Sequence, residues 1–337
     1  MNRESDGMLK KENALFSIGS EQDFLEQTLA VFQHQYTSTE IYRRWVDLLR
    51  VDASKVSAIE EIPFLPIEFF KKFKIADSQI NPNTLFFKSS ATTSQTPAQH
   101  YVTDVEVYKR SFLLAFEREY GAVNDYCILA LLPSYLQRGG SSLVYMFDEL
   151  ITRSNHPYSG FFLNNVDELI AIIKSLNNTK QKVLLIGVSY ALMDLCDKGI
   201  HLGENFILME TGGMKGTRKE LLKEELHAYL KKGFHIKNVQ SEYGMTELLS
   251  QAYSKKDGLF KSPPWLKFLV REVDDPLKLR HDNKTGGINV IDLANLHSCS
   301  FIATKDLGRI TKEGYLELMG RYDHSDVRGC NLMMGDF

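Results

Sequence analysis

The sequence predicts an α/β fold, with mainly parallel sheets covered by helices and a β-rich subdomain at the C-terminal end. Three observations predict it. Apolar runs at 126–132, 160–163, 182–187, 205–210 and 235–240 alternate with stretches of helical periodicity at 141–152, 165–177, 189–198 and 217–232. The apolar runs are continuous, as in residues 127–132, which is the pattern of strands buried on both faces. Beyond residue 265 the helical periodicity stops, and Gly286, Gly287, Gly308, Gly314, Gly320 and Gly329 mark turns between strand-like segments.

The elements follow in order. Residues 20–50 read as helical. Ser20 is the expected N-cap, Asp23 stands where a capping box has Glu, and Phe24, Leu25, Leu29, Val31 and Phe32 recur at helical spacing. Pro63 and Pro66 break the pattern, and residues 67–72 restart a short helix. Residues 84–87 read as a strand, 89–95 as a polar loop and 100–103 as the returning strand. Asp104 then caps a helix carrying Tyr108, Phe112, Leu113 and Phe116. There is no internal repeat. These readings divide the chain into an N-terminal helical region (1–83), an α/β body (84–264) and the β-rich subdomain with its tail (265–337).

Composition excludes several classes of function. Forty basic residues against 43 acidic ones give a net charge of -3, which offers no electrostatic footprint for nucleic acid. Residues 1–12 are polar and lack the apolar core of a signal peptide. No apolar run approaches the ~18 residues of a membrane span. The expectation is a cytoplasmic protein with no stable membrane anchor. The cysteines Cys127, Cys196, Cys299 and Cys330 form no Cys-x-x-Cys pair, which argues against a zinc ribbon or a thioredoxin-type motif. Cys127 and Cys196 lie in apolar runs and read as core. Cys330 lies in a polar, glycine-flanked segment.

Four segments carry candidate chemistry. The loop after the first strand contains Ser89, Ser90, Thr92, Thr93 and Ser94, whose hydroxyls and backbone N–H groups suit a polyphosphate, or simply close a hairpin. It is not a Walker loop. Gly212 and Gly213 follow an apolar strand and precede a helix, where glycine lets a backbone approach a ligand. Tyr243, Gly244, Thr246 and Glu247 offer a ring, a hydroxyl and a carboxylate at close spacing, suited to a base, a phosphate and Mg²⁺. The same segment also reads as a capped helix start, with Thr246 or Glu242 as the cap. Asp306 can accept ribose hydroxyls and Arg321 can support a ribose or phosphate, or the two form a surface ion pair on a hairpin.

In this order and spacing the motifs resemble those of the adenylate-forming superfamily of acyl-CoA synthetases and luciferases. The loop reads Ser-Ser-Ala-Thr-Thr-Ser where that superfamily has a glycine-rich Ser-Gly-Thr-Thr-Gly. A narrower resemblance lies in Met209-Glu210-Thr211-Gly212-Gly213-Met214-Lys215-Gly216, Leu132-Pro133-Ser134-Tyr135-Leu136, Gly140-Ser141-Ser142-Leu143 and Asp326-Val327-Arg328-Gly329-Cys330. These are similar to the acyl-protein synthetase (LuxE-type) family, over roughly residues 60–335. The resemblance implies the large domain of an adenylate-forming enzyme, ATP and Mg²⁺ as cofactors, and activation of a carboxylic, especially fatty, acid as acyl-AMP. It implies Ser89, Ser90, Thr92, Thr93 and Ser94 on the β/γ-phosphates. Gly212 and Gly213 would lie against the adenine, with Tyr243 stacked on it and Gly244 beside it. Thr246 would meet the phosphates, Glu247 would hold Mg²⁺, and Asp306 would bind the ribose with Arg321 assisting.

The usual superfamily member continues into a small mobile domain carrying a catalytic lysine, whereas this sequence stops seven residues after Cys330. The expectation is therefore a large domain without that lid, with Lys215 as the alternative neutralising cation. Cys330 is expected as the thiol that takes the acyl group, as the resembled family implies, before passage to an acceptor such as a reductase or an acyl carrier. Transfer to CoA and a non-catalytic nucleotide-binding relative are the alternatives. A more distant one is a serine hydrolase, because Gly187-Val188-Ser189-Tyr190-Ala191 approaches a nucleophile elbow but has Ala191 for the second glycine. In the acid-activating reading, Ser189 and Tyr190 border the acyl pocket.

Overall fold

The structure, a computed structural model, describes residues 13–77, 80–89, 96–133, 140–212 and 221–321. In chain order its main elements are α1 (Glu21–Ser38), α2 (Glu40–Leu48), β1 (Leu65–Pro66), α3 (Phe69–Lys72), β2 (Leu85–Lys88), β3 (Gln99–Val102) and α4 (Val105–Tyr120). There follow β4 (Tyr126–Leu131), α5 (Ser142–Ser154), β5 (Gly160–Phe161), α6 (Val166–Leu176), β6 (Lys182–Val188), α7 (Ser189–Cys196), β7 (Phe206–Thr211), α8 (Lys223–Phe234) and β8 (Gln240–Tyr243). The last are β9 (Ala252–Ser254), β10 (Leu259–Phe260), β11 (Leu266–Arg271), β12 (Leu279–Arg280), β13 (Gly286–Asp292), β14 (Phe301–Ile310) and β15 (Leu316–Arg321). No described helix is long and apolar enough to cross a membrane.

The chain divides into two compact units. One comprises residues 112–244 and 252–261, the other 1–111, 245–251 and 262–337. The segments 1–83 and 265–337, separated in the sequence reading, thus belong to a single unit, and the β2–β3 hairpin belongs to it too.

The unit around residues 112–244 is built on a six-stranded sheet in the order β5-β4-β6-β7-β8-β9. Its pairings are parallel up to β8, and β9 returns antiparallel. Every residue of β4 is buried, as the continuous apolar run requires. Leu169, Ile173, Leu192 and Leu230 from the helices pack with Leu129, Leu185 and Leu208 of the sheet in one core. The expected strand at 235–240 is displaced to Gln240–Tyr243. The reason is the end of α8: His235 takes a left-handed conformation at φ +58° and its N–H bonds to Lys231 O, so the next residues turn the chain. The expected helix 217–232 begins at Lys223 among the described residues.

In the other unit, β13 pairs antiparallel with β11 and β14, β14 pairs with β15, and β1 joins β14 in parallel. Helix α1 starts as its sequence requires, with Asp23 N–H donating to Ser20 Oγ at 3.1 Å. The box closes one residue farther back than expected, because Asp23 Oδ2 accepts from Gly19 N–H at 3.1 Å. The buried Gln35 fixes α1 to the β13–β14 connection. Its Nε2 donates to Asn295 O at 2.9 Å and Leu296 O at 3.0 Å, and its Oε1 accepts from Ser300 N–H at 2.9 Å. A buried amide with both ends bonded specifies one docking of the helix. Tyr42, stacked on Phe301 at 5.7 Å, adds apolar contact.

Candidate active site

In the unit around residues 112–244 the carboxyl ends of β6, β7 and β8 gather several of the predicted residues, where parallel sheets bind ligands. The register places Val188 beside Thr211 and Thr211 beside Glu242. Ser189 opens α7 directly after β6, and its buried hydroxyl donates to Gly212 O at 3.0 Å. That bond ties two strand ends together. It also commits the hydroxyl proton to a carbonyl, which is not the arrangement of a nucleophile awaiting a base. Tyr190 is half-buried beside it. Gly212 has φ +70°, and a Cβ there would meet nothing within 4 Å. Its glycine is thus demanded by the backbone, and the space above it is open. Tyr243 is buried, its ring edge-on to Phe260 at 5.8 Å, whereas Gly244 is exposed. The segment after Tyr243 is a turn, not the capped helix considered from sequence.

Two carboxylates flank this edge. Glu210 pairs with Lys223 at 3.0 Å and lies 3.4 Å from His227 Nε2. Burial alone would raise its pKa, but the His227 hydrogen bond and the Lys223 charge outweigh it and the pKa is lowered. Glu242 accepts a 2.6 Å hydrogen bond from Thr211 Oγ1. Burial pushes its carboxyl up to about 7 against the pull of that bond, and the Glu210 charge pushes the same way. The sequence reading weighed Glu242 only as a helix cap. Nothing in its spacing announces a buried acid.

In the other unit the short segment 245–251 carries Thr246 and Glu247, and the surrounding chain fixes its backbone. Asn295 Nδ2 donates to Glu247 O at 2.8 Å and Asn295 Oδ1 accepts from Leu249 N–H at 3.0 Å. Asp292 accepts from Leu249 N–H, Ser250 N–H and Ser250 Oγ at 2.9, 2.9 and 2.6 Å. His100 Nδ1 lies 2.9 Å from Thr246 O. A carbonyl only accepts, so the proton sits on Nδ1, and Nε2 accepts from Ser298 Oγ at 2.8 Å. Burial lowers the His100 pKa to about 4 and keeps the ring neutral. Asp292, Asn295 and His100 escaped the sequence reading because they lie far along the chain from the turn they hold.

The Glu247 side chain is buried, and burial pushes its carboxyl up to about 7. Arg321 and Lys71 pull it down, and Asp306 opposes them. Asp306 and Arg321 stand directly opposite each other on β14 and β15, with Arg321 Nε donating to Asp306 Oδ1 at 2.6 Å. The two predicted partners are thus brought together, the acid buried and the arginine side chain 62% exposed. Ser89 closes the hairpin: its N–H donates to Ala98 O at 3.1 Å and its Oγ accepts from Ala98 N–H at 2.8 Å. Ser90, Thr92, Thr93, Ser94, Gly213, Lys215 and Cys330 lie outside the described residues. A cleft of about 310 Å³ lined by Lys74, Asn81, Thr84, Phe86 and Tyr101 includes none of the predicted site residues.

The described cysteines are buried, and burial holds their thiols toward the protonated form. Burial raises Cys127 to about 11 and Cys299 to about 12, and also raises Cys196. Cys127 and Cys196 are core residues, as expected from their apolar runs, and Cys299 is buried in the other unit.

The profile of the family described as "Acyl-protein synthetase, LuxE" matches residues 8–133. A search of curated proteins finds no match. Among solved structures, 2-hydroxyisobutyryl-CoA ligase in the postadenylation state with 2-HIB-AMP superposes with a TM-score of 0.67 at 13% identity, over 90% of this chain and 68% of that one. Its open conformation with 2-HIB-AMP and CoA gives 0.66 at 13% identity, over 90% and 75%. ATP-bound MatB from Rhodopseudomonas palustris gives 0.53 at 15% identity, over 70% of this chain and 47% of that one, so the chain spans about half of MatB's length. Residues 8–133 thus match the LuxE acyl-protein synthetase family, and the chain has the α/β fold of adenylate-forming ligases.

Proposed function

We propose that this chain is an ATP-dependent acid-activating enzyme of the AMP-forming type: it converts a carboxylic acid, with a fatty acid as the favoured class, to acyl-AMP and passes the acyl group to a thiol. The observation that carries the reading is the strand-end cluster of Gly212, Tyr243 and Gly244, with open space at Gly212, on a fold whose relatives hold nucleotides. The 2-hydroxyisobutyryl-CoA ligase structures contain an acyl-adenylate, MatB contains ATP, and O-succinylbenzoate CoA synthetase from Bacillus subtilis contains ATP and magnesium.

In this reading the substrate carboxylate attacks the α-phosphorus in line and pyrophosphate leaves, and the protein's work is positioning and charge neutralisation. Gly212 and Gly213 lie along the adenine, with Tyr243 and Gly244 at its edge. Asp306 accepts the ribose hydroxyls and Arg321 holds it in place. Thr246 and the hydroxyls of Ser89, Ser90, Thr92, Thr93 and Ser94 bind phosphate oxygens, and Lys215 supplies a cation near the α-phosphate. A buried acid whose backbone is clamped fits the ligand of a hard dication, and Glu247 is that acid. Mg²⁺ bound there supplies charge neutralisation of the departing pyrophosphate. Ser189 and Tyr190 border the acyl group. The Cys330 thiolate attacks the acyl carbonyl, AMP leaves and a thioester forms; Cys330 is favoured for this step since burial raises the pKa of each of the three described thiols. A protein partner, a reductase or an acyl carrier, then takes it on in the cytoplasm.

The test is ATP–pyrophosphate exchange with a panel of carboxylic acids of graded chain length, followed by incubation with ATP and labelled acid. Acid-dependent exchange and covalent label that disappears in Cys330→Ser are expected. Exchange with no acid in the panel refutes acid activation. Label that persists in Cys330→Ser refutes only the acceptor.

A further inference from the structure

We propose that His34, Asp77 and His297 form a binding site for one transition-metal dication of the Zn²⁺ type. The three side chains come from α1, from the loop after α3 and from the connection between β13 and β14. Their ligand atoms converge on one point. His34 Nε2 lies 3.1 Å and His297 Nδ1 2.9 Å from Asp77 Oδ2, and all the ligand atoms lie within 4.8 Å of one another. Ligand atoms around a tetrahedral ion with bonds of ~2.0–2.1 Å stand about 3.3 Å apart. The two imidazole–carboxylate contacts therefore need to open by only a few tenths of an ångström to admit it, with the two ring nitrogens within 4.8 Å of each other.

Hydrogen bonding within the cluster does not account for it fully. Both imidazoles meet the same carboxylate oxygen. The other, Oδ1, is buried without a partner, on a side chain only 5% exposed. A buried, unsatisfied carboxylate oxygen is uncommon because the desolvated group loses its water bonds. A cation bound by the carboxylate would use both oxygens, or neutralise the charge that makes the orphan costly. Two imidazoles and one carboxylate select Zn²⁺ and its neighbours over Mg²⁺ or Ca²⁺, which prefer all-oxygen sites. Three protein ligands leave a fourth position for water, and the histidine side chains, 15% and 14% exposed, leave a route to it.

The cluster is also held in place from outside. Asp77 N–H donates to His297 O at 3.0 Å, and Gln35, next to His34, anchors α1 to the chain just before His297. A ligand set with fixed backbones loses little freedom on binding. Metal there would staple the N-terminal helix to its own unit. It shares no residue with the acid-activating site and stands or falls independently of that reading.

The test uses the untagged full chain, stripped with a chelator and titrated with Co²⁺ and then Zn²⁺ in Mg²⁺-free buffer. One equivalent of Co²⁺ is expected, with the intense visible absorption of a low-coordinate nitrogen–oxygen site, displaced by one equivalent of Zn²⁺. Zn²⁺ should raise the Tm of the wild type and not of His34→Gln or His297→Gln, whose affinities fall at least about a hundredfold. Histidine-ring ¹H–¹⁵N spectra of the wild type should identify His34 Nε2 and His297 Nδ1 as the bound nitrogens. Less than one equivalent bound at micromolar Zn²⁺, or metal shifts confined to other histidines, overturns the site without relying on any variant.

Discussion

Glu242 and Glu247 are five residues apart, belong to different units, and are both buried carboxyls raised to about 7. They are held in opposite ways. Glu242 is fixed through its side chain by the Thr211 hydroxyl, and the like charge of Glu210 adds to the cost of ionising it. Glu247 is fixed through its backbone, by Asn295 on its carbonyl and by Asp292 on the two residues after Leu248. Its nearby charges are mainly cationic, from Arg321 and Lys71. A side chain used to hold the fold is spent on that task. At Glu247 the clamp acts on the backbone, and the carboxyl's own hydrogen bond is to the backbone of the same residue. The same pKa therefore arises in two settings, one where the side chain bonds a strand neighbour and one where the backbone is clamped, and the surroundings rather than the value tell them apart.

Substitutions can break this contrast. The largest effect is expected from Glu247→Gln, which should lower acid-dependent ATP–pyrophosphate exchange by about 10²–10³-fold, the usual scale for a lost charge-stabilising group. Its circular dichroism should stay that of the wild type. Asp292→Ala comes next. It removes one acceptor from Leu249 N–H, leaves Ser250 N–H without its carboxylate, and should cost roughly 3 kcal/mol of stability by urea unfolding. Exchange should fall with it, because the Glu247 turn loses its clamp.

Glu242→Gln should act on stability and its pH dependence, with little loss of exchange. The folded-state pKa of about 7 lies above the ordinary carboxyl value. The folded protein therefore holds an extra proton between about pH 4.5 and 7, and stability falls as the pH rises through that window. Removing the charge should make the variant roughly 1–3 kcal/mol more stable than the wild type at pH 8 and flatten the curve. Equal destabilisation at pH 5 and pH 8 would make Glu242 an ionised structural partner instead. The smallest effect belongs to Arg321→Ala. With the Arg321 side chain 62% exposed, its ion pair contributes little to stability, under about 1 kcal/mol. The KM for ATP should rise about tenfold with kcat nearly kept, as expected for lost ground-state binding.

Much of the frame was legible because it rests on local pattern. Ser20 capped its helix, the apolar run through Ile128 gave a fully buried strand, and Asp306 and Arg321 met on paired strands, as the hairpin reading of their segments expected. The strand expected at 235–240 slipped because His235 adopts a left-handed conformation that the hydrophobic pattern does not reveal. Ser189, weighed as a pocket residue or a nucleophile, donates to Gly212 O and so ties two strand ends, a contact its local sequence does not announce. Asp292 and Asn295 were invisible for a different reason. Their partners at 247–250 lie more than 40 residues away, and a lone acid or amide has no periodicity to reveal the turn it will hold.

The most direct measurement is acid-dependent ATP–pyrophosphate exchange by the wild type, Glu247→Gln and Glu242→Gln side by side at pH 8. The account predicts exchange in the wild type, near-wild-type exchange in Glu242→Gln and a loss of about a hundredfold or more in Glu247→Gln. Equal rates in the two variants, or no exchange by the wild type with any acid, would contradict it.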